Sequence, residues 1–166
     1  MELNFESVLA EYGSLLSRVA TSYEANSALR QELLQEMCLA VWQALNRFEG
    51  NSSLKTYVLR VAHNKAVDHV TYHAKQPFQE HFGGSNDDQG TESDSPHKQA
   101  QQESQLNQLL NAVRQLPIPQ RQVVTLSLEG LNYQEIADVC GLTKNNVGVM
   151  LNRAKKVLMQ QVQNHE

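Results

Sequence analysis

Tyr57, Arg60, Asn64 and Asp68 recur at steps of three and four, which puts a phenol, a guanidinium, an amide and a carboxylate on one helical face. Thr71 and Lys75 extend the line. Asn and Arg can hydrogen-bond base edges and Tyr can stack on an unpaired base, so the line suits a nucleic-acid-reading surface. The same residues also suit an ordinary solvated face. A second group lies further on, where Ala137 is followed by Gly141 and then Val147. That is helix-turn-helix spacing: the alanine allows close approach, the glycine takes a left-handed turn, and the valine plugs the angle. In such a unit the second helix lies in the major groove. The spacing also fits helical hairpins that bind nothing. No phosphate loop, nucleophile elbow or metal-binding cluster is present, so an enzyme, a cofactor and a metal are not expected. His69 and His73 stand one turn apart without a third ligand, and read as surface histidines.

The elements that position these residues are helices. Leu34, Cys38, Val41, Leu45 and Phe48 make one buried face, widened by Leu33, Met37 and Trp42, with Trp42 expected in the core. Glu49-Gly50-Asn51-Ser52-Ser53 ends that helix, and another starts near Leu54 with an apolar line of Leu54, Val58, Val61/Ala62, Ala66 and Val70. Leu106, Leu109/Leu110, Val113 and Leu116 mark a further helix, stopped by Pro117 and Pro119. Pro119 suits the first turn of the next helix, which Gly130 ends. Asn132 and Glu135 form a capping box, and Thr143 caps a last helix buried along Val147, Leu151, Ala154 and Leu158. Glu135 is therefore read as a cap before it is read as a contact to a partner.

Composition agrees. The 166 residues are 40% hydrophobic, with Leu, Val and Ala prominent and only ten aromatic residues, which favours helices packed on helices. No run approaches the roughly 20 apolar residues of a membrane span, and the first residues (Met1 to Glu6) are acidic, unlike a secretion signal. A cytoplasmic chain without membrane insertion is expected. Cys38 and Cys140 lie inside apolar helical patterns and read as small core residues.

The net charge of −4 argues against nucleic-acid binding until it is divided along the chain. Residues 1–75 hold seven Lys/Arg and eight Asp/Glu, residues 76–105 one and six, and residues 106–166 six and four. The acidity sits in a middle stretch rich in Gly, Ser, Asn, Asp and Pro, which reads as a flexible acidic linker at 76–105. The expected fold is all-α, two small helical domains (1–75 and 106–166) joined by that linker, the second domain a helix-turn-helix.

Two blocks of residues carry a resemblance. Glu32-Leu33-Leu34-Gln35-Glu36, Trp42, Phe48-x-Gly50, Thr56-Tyr57-Val58 and Ala62-His63-Asn64-x-x-x-Asp68 resemble region 2 of the extracytoplasmic-function (ECF) sigma factors. Leu116-Pro117-x-x-x-Arg121-x-Val123-Val124, Gly130-Leu131-Asn132-Tyr133-x-Glu135-Ile136-Ala137, Gly141-Leu142-Thr143 and Arg153-Ala154 resemble region 4. The blocks stand in family order with no region 3 between them.

The resemblance implies a sigma factor that binds core RNA polymerase, directs promoter-specific initiation and answers to an anti-sigma factor. Leu33, Gln35, Glu36 and Leu39 match the helix that docks on the polymerase clamp. Phe48, Ser53, Lys55, Tyr57, Arg60, Asn64 and Asp68 match the surface that reads and melts the minus-ten element, the Phe48–Lys55 loop capturing a flipped base. Lys144, Asn145, Asn146, Asn152, Arg153 and Lys156 match the minus-thirty-five surface. The linker of the family threads the polymerase cleft, a channel built for a polyanion.

The family usually has Trp at Tyr57, Arg at His63 and often a basic residue at Thr71. Many relatives carry a Thr-Val-Lys-Ser-Arg-like run where this chain has Asn146-Val147-Gly148-Val149-Met150. Direct base reading at minus thirty-five is therefore expected to be slight, with phosphate contacts and DNA shape carrying more. Two other readings stay open here: a sigma-like interaction protein that no longer selects promoters, and a stand-alone helix-turn-helix repressor.

Overall fold

The computed structural model describes residues 4–75 and 96–163, and every regular element among them is a helix. The first is α1 (Phe5–Tyr23), whose Asn4 side chain accepts from the Glu6 amide and satisfies one free N–H of the first turn. Its inward stripe is Val8, Leu15, Leu16, Val19, Ala20 and Tyr23. In α2 (Ser27–Leu45), capped by Asn26, the buried line is Leu33, Met37, Val41 and Leu45. Leu34 and Cys38 are only partly buried, so the stripe is rotated from the expected one toward Leu33 and Met37. Full burial of such side chains contributes about 1.5–3 kcal/mol each. Next comes α3 (Leu54–Lys75), opened by Ser53, whose Oγ accepts from the Thr56 amide. These three helices pack on one another as a bundle.

The second set is α4 (Pro96–Gln115), α5 (Ile118–Leu128), α6 (Tyr133–Cys140) and α7 (Lys144–Gln163). Since α4 begins at Pro96, helix occupies part of the stretch read as linker, and the rest of that linker lies outside the described residues. At the end of α5 the Leu131 amide donates to the Leu126 carbonyl and the Gly130 amide to that of Ser127, with Gly130 at φ +88°. This is a Schellman turn, which needs a residue free to adopt positive φ. Asn132 and Glu135 complete the expected capping box. Gly141 turns the chain at φ +68°, Thr143 Oγ1 caps α7, and Ala137 and Val147 are buried between the two helices. The helix-turn-helix forms as its spacing predicts.

The two sets also touch, α6 and α5 against α3, and α4 against α1. At the centre of this contact His63 is 0% exposed, its Nδ1 2.9 Å from the Tyr23 hydroxyl, and the Arg121 guanidinium lies over the Tyr23 ring at 5.4 Å. Among the described residues no helix is long and apolar enough to cross a membrane.

Candidate nucleic-acid interface

The turn after α2 and the first two turns of α3 build a cavity of about 360 Å³, lined by Arg47, Phe48, Glu49, Asn51, Ser52, Tyr57, Arg60 and Asp138. Phe48 and Tyr57 form its aromatic wall, their ring centroids 4.9 Å apart. The Tyr57 hydroxyl donates to the Ala44 carbonyl at 2.7 Å, which fixes the ring against α2. Two guanidiniums beside two neighbouring rings, tilted by 50° to each other, suit an unpaired nucleotide: the rings offer a stacking surface, worth about 1–3 kcal/mol per base, and the cations can meet phosphate.

The structure thus brings Phe48, Tyr57 and Arg60 together. Phe48 was expected to end a buried stripe; it is half-buried and faces the cavity instead. Ser53 caps α3, its hydroxyl donating to Thr56 Oγ1 at 2.8 Å. Lys55 reaches across to the Glu129 carbonyl. Asn64 and Asp68 are exposed on the same helix, but Asn64 lies seven residues beyond Tyr57, roughly 10 Å along the axis, and does not line the cavity. Arg47, Glu49, Asn51, Ser52 and Asp138 belong to the cavity and were not among the expected site residues. The first four sit inside the Phe48 loop or just before it, so loop membership was their only signal.

His63, where the family usually has Arg, faces inward rather than toward nucleic acid. Burial lowers its pKa to about 3, so the ring is neutral, and the same burial raises that of Tyr23, which stays a phenol. Among the described residues its Nε2 has no hydrogen-bond partner. His69 is not a surface histidine: it is buried and pairs with Glu24 at 3.0 Å. No group of three or more potential metal ligands occurs among the described residues.

The expected docking helix needs two corrections. Leu33 is 0% exposed, packed in the first bundle, and cannot face a partner while α2 is folded. Trp42 was expected in the core, yet it is 52% exposed. Its position three residues after Leu39, itself 54% exposed, sets both on the outer face with Gln35 and Glu36. Cys38 and Cys140 are free thiols, each half-buried.

On α7, Lys144, Asn145, Asn146, Asn152, Arg153, Lys155 and Lys156 are all exposed, and the helix carries four cations and no acid. Tyr133 lies beside the recognition helix, where a Cβ on Gly148 would meet its ring at 3.5 Å, an ordinary van der Waals contact. Tyr133 and Val149 remain exposed there.

Comparison with known proteins gives the same two blocks. Sigma-70 region 2 matches residues 8–76 and Sigma-70 region 4 matches residues 106–158. The ECF RNA polymerase sigma-E factor of Haemophilus influenzae is 23% identical over 96% of this chain and 87% of its own length. The ECF RNA polymerase sigma factor SigX of Bacillus subtilis is 28% identical over 80% of this chain and 70% of its own. In fold, the chain is similar to the sigma factor RpoE of Bartonella quintana, solved with the anti-sigma factor NepR, with a TM-score of 0.70 at 18% identity over 96% of each chain. With regions 2 and 4 in order on one helical chain that these two ECF relatives match over 96% and 80% of its length, the chain belongs to the ECF subgroup of the sigma-70 family, the sigma factors that direct transcription initiation.

Proposed function

We propose that helices α1–α3 dock on core RNA polymerase and read the minus-ten element, while α4–α7 place α7 at the minus-thirty-five element. The observation that carries this division is the aromatic-walled cavity beside Arg47 and Arg60, which suits a base taken out of its stack. Gln35, Glu36 and Leu39 form the docking face, and exposed Trp42 joins them. The acid-free surface of α7 contacts phosphates, and its central residues Gly148, Val149 and Met150 offer no side-chain hydrogen bonds to bases. The factor acts in the cytoplasm, performs no catalysis itself, and is held in check by an anti-sigma factor. The complex of the Bartonella quintana neighbour with NepR supports that last point.

Transcription from a randomised promoter library by mutant holoenzymes tests the division. Asn64→Ala should relax the selected minus-ten sequence, because a bidentate amide contact to a base is worth about 1–3 kcal/mol of discrimination. Arg153→Ala should weaken promoter binding evenly across sequences and reduce its salt dependence by about one unit of slope, as loss of one phosphate contact does. An untouched minus-ten preference in the first mutant, with a rewritten minus-thirty-five preference in the second, would reverse the assignment.

A further inference from the structure

Seven of the eight residues that line the cavity lie between positions 47 and 60, in the turn after α2 and the start of α3. Some of their polar groups are already spent. The Tyr57 hydroxyl donates to the Ala44 carbonyl at 2.7 Å, and the Ser52 hydroxyl donates to the Ser53 carbonyl at 3.2 Å. Both bonds hold the wall in place and leave little for a ligand. The Arg47 guanidinium, the Glu49 carboxylate and the Asn51 amide are exposed, and among the described residues their side chains form no ion pair or hydrogen bond. Arg47 and Glu49 flank Phe48 in the sequence. A group that only donates and a group that only accepts therefore stand free beside the aromatic wall.

A carboxylate repels phosphate, so in a nucleic-acid site it is accounted for only by a hydrogen bond from a base. A base that satisfies Glu49 must donate from its pairing edge, and one that satisfies Arg47 must accept there. Thymine sets its one N–H between two carbonyl oxygens, and both would crowd the carboxylate. Adenine has an amino group and one ring acceptor, too few for the fork of a guanidinium. Guanine has two donors and one acceptor, the reverse of what one carboxylate and a guanidinium need. Cytosine has one amino group beside two adjacent acceptors, its ring nitrogen and its carbonyl, and matches that balance. The Asn51 amide both donates and accepts, so it discriminates least.

We propose that Glu49 is a specificity-determining residue that selects cytosine as the unpaired base on the Phe48–Tyr57 wall, accepting from its amino group while Arg47 donates to the acceptors beside it. The proposal rests on the minus-ten reading above and names the base that this reading leaves open. Arg60, on α3, stays available for phosphate.

The test uses holoenzyme made with the full chain and a promoter library randomised across the minus-ten element. Wild type should select cytosine at one position, about tenfold or more over thymine. Glu49→Gln keeps the shape of the side chain but sets a donor beside the acceptor. It should admit thymine at that position, lower the ratio about tenfold and leave the preferences at other positions as they were, with unchanged helicity by circular dichroism. A second measurement separates contact from shape. On a promoter whose selected cytosine carries hydrogen in place of the amino group, wild type should lose about tenfold in open-complex formation. Glu49→Ala should lose nothing further on that promoter, because the two changes remove the same contact. Equal losses with and without Glu49, or the same preferences in Glu49→Gln at every position, overturn the role of Glu49 and leave the sigma reading standing. A wild-type preference for guanine at the position that Glu49→Gln alters overturns the assignment of cytosine. A wild-type holoenzyme that starts no transcript removes the sigma reading itself, and this proposal with it.

Discussion

Glu36→Lys should lower affinity for core polymerase by at least about a hundredfold and leave the helices intact. Glu36 is exposed on α2 beside Gln35, Leu39 and Trp42, and has no ion pair or hydrogen bond of its side chain among the described residues. A carboxylate left without a partner on a face bearing two large exposed apolar groups has the composition of an interface awaiting its other half. Reversing its sign puts like charges together in a matched interface, a penalty of several kcal/mol, and about 2.7 kcal/mol is already a hundredfold. The fold should not suffer. Lys is as good a helix former as Glu, and Glu32 one turn earlier would gain an opposite charge in place of a like one. Pull-down with core enzyme and circular dichroism read the two effects. Unchanged affinity with normal helicity removes Glu36 from the docking face.

The isolated chain should lose stability in mild acid, and His63 should be the main reason. Its folded pKa of about 3 lies below the ordinary value of 6.5, so the unfolded chain takes up the proton first. The stability that neutral His63 contributes is fully present above pH 6.5 and is lost as pH falls from there toward about 3. One proton costs about 1.4 kcal/mol per pH unit within that window, so urea unfolding at pH 5.0 should show a loss of about 2 kcal/mol relative to pH 7.5. The groups facing His63 offer a proton no welcome: Tyr23 is a phenol that stays protonated, and Arg121 stacked on it is already a cation. His63→Phe should flatten the dependence, keeping the ring volume while removing the titration. A slope as steep in that variant as in the wild type would place the acid sensitivity elsewhere.

Local order was legible in the sequence because its causes are local. The capping box at Asn132 and Glu135, the turns at Gly130 and Gly141, and the apolar lines of α3 and α7 depend on residues within a few positions of one another, and they form as the spacing predicts. What was missed depends on distant partners. A stripe as wide as that of α2 does not say which of its apolar residues the other helices cover, so Trp42 was assigned inward; the pattern set Leu33 inward, as found, and only the family resemblance set it on the docking face. His69 reads as surface until Glu24, 45 residues away, supplies its partner. Lys55 and Arg60 were recognised as part of a reading surface, but their partners lie 74 and 78 residues further along the chain. No periodicity reports such pairs. Glu135 illustrates both cases, since it closes its own helix as expected and also accepts from Thr56.

As a sigma factor, this chain should give RNA polymerase a promoter it would not otherwise choose. Run-off transcription with purified core polymerase and a library of randomised upstream DNA tests this in one step. Transcripts should depend on the chain and share one minus-ten sequence, while core enzyme alone yields none of them. Transcripts with no shared sequence, or a free chain that shifts a specific duplex at nanomolar concentration and physiological salt but adds nothing to core enzyme, would contradict it.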